Sequence, residues 1–163
     1  MDLVLVRHAK SLYNDYVQSD IERHLAERGY RDAHESAAWC LENSLVPDLI
    51  ISSPAIRAFS TALIFANHFS YAPDRIQLHS SVYEAEVRQL MYVAGEVSGG
   101  FKKVMMFGHN PGFTDFLNVL CGPVCVQLPT AAVAHIRLKI KDWKEISPDT
   151  GELISLYSGH KPF

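Results

Sequence analysis

Three short, nearly unbroken apolar runs stand out along the chain: residues 2–7, 48–52 (Asp48-Leu49-Ile50-Ile51-Ser52) and 103–107 (Lys103-Val104-Met105-Met106-Phe107). Runs of this length with no polar alternation predict strands covered on both faces, as in a parallel sheet. Residues 132–140 predict a later strand, and 153–157 a short one. Between them the period changes. Ala33, Ala37, Cys40 and Leu41 fall at i, i+4, i+7 and i+8, one apolar stripe on a helix of roughly 30–43. Ala58, Ala62, Phe65 and Phe69 do the same for roughly 54–69, with Ser53 read as the cap and Pro54 as the first turn. Asn110-Pro111 repeats that device before a helix of roughly 111–120, and a further helix is predicted over 84–97. Alternating strands and helices predict an α/β sandwich with a mostly parallel central sheet.

The polar positions collect where strands end. The first run leads into Arg7-His8, the second into Ser52-Ser53-Pro54 with Arg57 one turn later, and the third into Gly108-His109-Asn110. Ligands of open α/β sheets bind outside the carboxyl ends of the strands. Two of these ends also feed helix N-termini, whose free N–H groups favour anions. Two arginines, two histidines and two helix starts are therefore expected to converge on a phosphate site. A second Arg-His, Arg23-His24, lies in a polar stretch with no strand before it and is given no catalytic role.

Composition narrows the partners. The 163 residues are 48% hydrophobic and 20% charged with a net charge of −3, which suits a single domain spanning 1–163. No basic arm or stripe is present, so a nucleic-acid partner is not expected and an anion must be held by a local cluster. Cys40, Cys121 and Cys125 are too few and too scattered for a disulfide framework or a zinc site, which indicates a reducing compartment. No targeting signal or membrane-spanning run is read, so a cytoplasmic location without a membrane partner is expected.

Longer motifs carry a resemblance. Leu3-Val4-Leu5-Val6-Arg7-His8-Ala9-Lys10-Ser11 resembles the opening signature of the histidine phosphatase superfamily, the phosphoglycerate mutase-like proteins, in the form used by the short SixA-type phosphohistidine phosphatases. Arg23-His24-Leu25-Ala26-Glu27-Arg28-Gly29 is similar to that family's Arg-Pro-Leu-x-x-x-Gly segment, with His24 in place of the usual Pro. Ser53-Pro54-Ala55-Ile56-Arg57-Ala58 with Thr61-Ala62, Gly108-His109-Asn110-Pro111-Gly112, and Pro129-Thr130-Ala131-Ala132 follow in family order. The resemblance implies a three-layer α/β/α sandwich, a histidine nucleophile at His8, and no metal or other cofactor. It implies that Arg7, Arg57 and His109 bind the transferring phosphoryl group, with Asn14 as a further phosphate contact. The long insertions of the mutases are absent, so an open site suited to a bulky or protein-borne phosphate is expected.

The residues suit that chemistry. A neutral imidazole attacks phosphorus without a base, provided its other ring nitrogen is held as a donor. Arginines offer planar, bidentate donors to phosphoryl oxygens, and a protonated His109 would add a third. Glu84 lies near the family's general acid, yet a carboxylate also suits the start of the helix read at 84–97, and Glu86 could serve equally. His34, His68, His79, His135 and His160 show no paired metal spacing and read as surface or helix-face residues. The expected function is hydrolysis of a phosphorylated substrate, a phosphohistidine-bearing protein first. A small-molecule phosphomonoesterase and a non-catalytic phosphate-binding module are the alternatives.

Overall fold

The computed structural model describes residues 1–13, 19–98 and 100–159. In chain order the elements are β1 (Asp2–Arg7), α1 (Glu27–Glu42), β2 (Leu49–Ser52), α2 (Ile56–His68), β3 (Gln77–Leu78), α3 (Val87–Gly95), β4 (Lys103–Gly108), α4 (Gly112–Cys121), β5 (Val133–Leu138) and β6 (Gly151–Tyr157). Six strands form one sheet in the order β3-β2-β4-β1-β5-β6. The first four run parallel, whereas β5 and β6 pair antiparallel.

The uninterrupted apolar runs have a simple cause. Successive strand side chains point to opposite faces, so a sheet covered on both needs apolar residues at every position. Leu3 and Leu5 of β1, Ile51 of β2 and Met106 of β4 pack with Leu90, Phe113, Phe116 and Leu117 of α3 and α4. Val4, Val6, Ile50, Met105 and Phe107 pack on the other face with Ala37, Cys40, Ala62 and Phe65 of α1 and α2. The three-layer α/β/α sandwich follows. Phe65 is fully buried and meets the edge of Phe107 at 5.0 Å between centroids.

Helix starts differ from the sequence expectation. Chain turning at Ser53-Pro54 delays α2 to Ile56, and Ser53 caps no helix; its Oγ accepts from the Ala55 N–H at 3.2 Å inside the turn. Nor does Asn110 cap α4. Its side chain donates to the Leu128 carbonyl and accepts from Thr114 Oγ1, so Pro111 takes the N-cap position. Glu84 lies outside α3, which starts at Val87 behind a capping box of Glu86 and Gln89. His135 is neither surface nor helical: it sits on β5, 8% exposed, 2.7 Å from Asp2 Oδ1. The two-residue β3 has no apolar pattern, both residues being exposed, and escaped the sequence reading.

One close approach shapes the site from below. Gly29 of α1 faces the backbone of Lys10, and a Cβ at that position would overlap the Lys10 carbonyl oxygen. That same oxygen accepts from the Ala26 N–H at 2.8 Å. The start of α1 is thus seated against the segment that follows His8.

Candidate active site

β1 and β4 are neighbours, and their register pairs Arg7 with Gly108. His8 and His109 are each the next residue, so both imidazoles leave the same end of the sheet side by side. Their ring centroids lie 5.1 Å apart, close to the ~4.8 Å between adjacent strands. A further ladder bond, His8 N–H to the Gly108 carbonyl at 3.0 Å, fixes the first of them.

His8 is 8% exposed, and its Nδ1 lies 2.8 Å from the Ala9 carbonyl. A carbonyl only accepts, so Nδ1 carries the proton and Nε2 keeps its lone pair. The Ala9 N–H donates to Thr61 Oγ1 at 3.1 Å, and that hydroxyl donates to the Arg57 carbonyl at 2.7 Å. A threonine one turn along α2 therefore ties the His8 segment to the helix that carries Arg57. Burial, then the charges of Arg57 and Arg7, outweigh the Ala9 bond and hold the His8 pKa down at about 4. The ring is neutral at ordinary pH.

Arg57 is the second residue of α2 and 4% exposed. Its Nε–H points to His8 Nε2 at 3.4 Å, and its NH1 and NH2 donate to the carbonyl oxygen and Oδ2 of Asp20. Arg7 NH1 donates to the Leu128 carbonyl at 2.6 Å, while Arg7 Nε is buried with no partner among the described residues. His109 Nδ1 is likewise buried and unpartnered. Its Nε2 lies 2.8 Å from Ser53 Oγ. Burial, then repulsion between the two imidazoles when both are protonated, then the charge of Arg57, depress the His109 pKa to about 3. Without an anion beside it the ring is neutral, so the condition for an imidazolium donor at His109 is not met by the protein alone.

These four side chains line a cavity of about 320 Å³. Asp20, Arg23, Tyr13, Lys10, Ser11, Glu84, Asn110 and Thr130 complete its wall. Asn14 lies outside the described residues. Glu84 is exposed at the rim, with a φ of 49° that a non-glycine residue adopts at a cost of roughly 1–2 kcal/mol. Glu86 is committed to its capping box, so of the two candidate carboxylates Glu84 is the one in the cavity wall. Only one of the two expected helix starts reaches this cavity. Pro111 and Gly112 line a neighbouring groove that shares Glu84, His109 and Asn110 with the cavity.

Arg23, given no catalytic role above because no strand leads into it, lines the cavity. Two contacts bring it there, Leu12 N–H to the His24 carbonyl at 2.9 Å and the Ser11–Leu25 bridge. The usable signal was the Leu-x-x-x-Gly that follows, since Gly29 marks where that segment meets Lys10. Asp20 and Tyr83 carried no local signal. Among the described residues no group of three or more His, Cys, Asp or Glu could hold a metal ion, and Cys40, Cys121 and Cys125 are free thiols. No helix among them is long and apolar enough to cross a membrane.

A family model described as the histidine phosphatase superfamily, branch 1, matches residues 3–88. The chain belongs to that superfamily. It is 26% identical over 162 residues to the uncharacterized protein Rv1276c of Mycobacterium tuberculosis, covering 93% of this chain and 98% of that one. Its fold matches a structure from Agrobacterium tumefaciens assigned as the phosphohistidine phosphatase SixA, with a TM-score of 0.80, 24% identity and 96% of each chain covered. A protein histidine phosphatase SixA complexed with tungstate matches at a TM-score of 0.78, with 20% identity and 97% of each chain covered. The three-layer sandwich is thus the phosphoglycerate mutase-like fold in its short SixA form.

Proposed function

We propose that this superfamily member is a metal-independent phosphatase in which His8 Nε2 takes the phosphoryl group and passes it to water. One observation carries the reading. An imidazole whose Nε2 lone pair meets the Arg57 Nε–H at a long 3.4 Å opens on a cavity where two buried groups, Arg7 Nε and His109 Nδ1, have no partner among the described residues. Buried polar groups are nearly always paired, and a phosphoryl group supplies the oxygens that would pair these.

In the first step the Nε2–P bond forms as the bond from phosphorus to the leaving group breaks. In the second, water attacks phosphorus, the Nε2–P bond breaks and inorganic phosphate departs. Arg7 and Arg57 hold the equatorial oxygens, where positioning and electrostatics supply most of the catalysis. His109 donates from Nδ1 even as a neutral ring, provided the Ser53 hydroxyl donates to Nε2; Ser53 Oγ already accepts from Ala55. Asn14 is proposed as a further contact to the phosphoryl group. Glu84 is proposed to protonate the leaving group. Arg7 and Arg57 on the cavity wall support chemistry without a metal, because their charges fill the balancing role a cation would take. Phosphohistidine on a protein is the favoured substrate, since imidazole leaves readily once protonated and no long insertion covers the strand ends among the described residues. Free thiols support a cytoplasmic setting.

The test is a quench into alkali, where a phosphorylated imidazole survives, after mixing with a labelled phosphohistidine protein, a sugar phosphate or an aryl phosphate. Label is expected on the wild type and absent from His8→Ala, with turnover unchanged by chelator. Label on His109, near-normal turnover by His8→Ala, or loss of activity with chelator would refute the scheme.

A further inference from the structure

We propose that Asp20 is a positioning residue of this site: it grips both terminal nitrogens of Arg57 and thereby turns the Nε edge of the guanidinium toward His8. The inference rests on the phosphatase reading above. Arg57 NH1 donates to the Asp20 carbonyl at 2.6 Å and NH2 to Asp20 Oδ2 at 2.8 Å, while Nε–H faces His8 Nε2 at 3.4 Å. A guanidinium is a rigid planar fork, so holding both terminal nitrogens fixes its orientation. NH2 carries a second proton on the same side as Nε–H. That pair of parallel donors, beside the His8 lone pair, matches two oxygens of a phosphoryl group.

Asp20 gathers more than Arg57. Its Oδ1 accepts from Arg23 Nε at 2.9 Å and its Oδ2 from the Tyr83 hydroxyl at 2.7 Å. The Tyr83 ring meets His109 edge-on at 5.4 Å between centroids, and Glu84 is the next residue. One carboxylate from the 3₁₀ turn Asp20–Glu22 thus ties two arginines of the cavity wall to the tyrosine packed beside His109. Partial burial opposes its charge, but the bonds from Tyr83 and Arg57 and the charges of Arg57 and Arg23 prevail and hold its pKa at about 2. It is ionised throughout the working range.

The same charge opposes the substrate. A carboxylate in the wall of an anion site weakens ground-state binding, whereas the orientation it imposes favours the transition state. The two effects separate in kinetics. Asp20→Asn keeps the backbone carbonyl and one side-chain acceptor but loses the charge and the second acceptor. Its kcat on an aryl phosphate is expected to fall tenfold or more, because small displacements of aligned groups are costly. Inhibition by inorganic phosphate should be unchanged or tighter. An unchanged kcat overturns the inference, and so does phosphate inhibition that weakens in parallel with kcat. Should the amide variant fail to fold, Asp20→Glu moves the charge by one methylene and is judged by the same two constants, with kcat lower and phosphate inhibition unchanged. Wild type and His8→Ala run alongside. Their failure to differ would remove the phosphatase reading itself, whereas a normal difference with no split at position 20 would remove only Asp20.

Discussion

Lowering the pH from 7 to 5 should destabilise the protein through His8, by an amount the site geometry sets. In the folded chain His8 holds a pKa of about 4 against 6.5 for an unperturbed imidazole. Between those values the unfolded chain binds a proton that the folded chain refuses, so stability rises with pH. The contribution is complete above about 6.5 and is lost as pH falls toward 4. At 1.36 kcal/mol per pH unit, the full shift corresponds to about 3 kcal/mol, of which about 2 kcal/mol has gone by pH 5. His109 shifts in the same direction and is coupled to His8, which adds to the loss. Urea unfolding midpoints at both pH values, in phosphate-free buffer, measure the effect. His8→Asn is the comparison, because its amide can still donate to the Ala9 carbonyl and does not titrate. Wild type should lose about 2 kcal/mol more than the variant over the interval. Equal losses, or a wild type that gains stability on acidification, would show that His8 is not held neutral by burial and the arginines.

Arg57→Ala should lower kcat/KM by about 10²-fold or more and weaken vanadate inhibition, as removal of a transition-state donor does, and Arg57→Lys should not restore full activity because the fork is lost. Equal vanadate inhibition in wild type and variant would take Arg57 out of the site. Gly29→Ala forces a methyl against the Lys10 carbonyl and should cost about 1–3 kcal/mol, seen as a Tm lower by several degrees. An unchanged Tm would mean that the start of α1 can back away from the His8 segment.

What could be read from the chain and what could not divides along the range of the interactions. β1, β2 and β4 were legible because their cover on both faces leaves a local mark, apolar residues at every position. Arg7, His8, Arg57 and His109 were legible as residues at or just beyond the ends of those strands, and the structure brings all four to one cavity. The start of α2 was misjudged because Ser-Pro opens helices and turns alike, and only the Ala55 contact to Ser53 decides between them. Glu84 and Glu86 could not be separated until the capping box claimed one of them. Asp20 meets Arg57 across 37 positions and Tyr83 across 63, and no periodicity encodes such a contact.

The pairing of Arg7 with Gly108 makes the sheet a ruler for the chemistry. The gap between the two imidazoles is inherited from backbone hydrogen bonding, which hardly varies from one protein to another, and not from loop conformations that sequence change can remodel. A residue inserted into either strand would turn one histidine to the opposite face of the sheet, so such a change abolishes the pair outright and cannot merely retune it. Residues inserted beyond the strand ends leave the spacing untouched. Diversification of what this site accepts is therefore confined to the rim, where a change at Glu84 leaves the spacing of the two imidazoles as the strands set it.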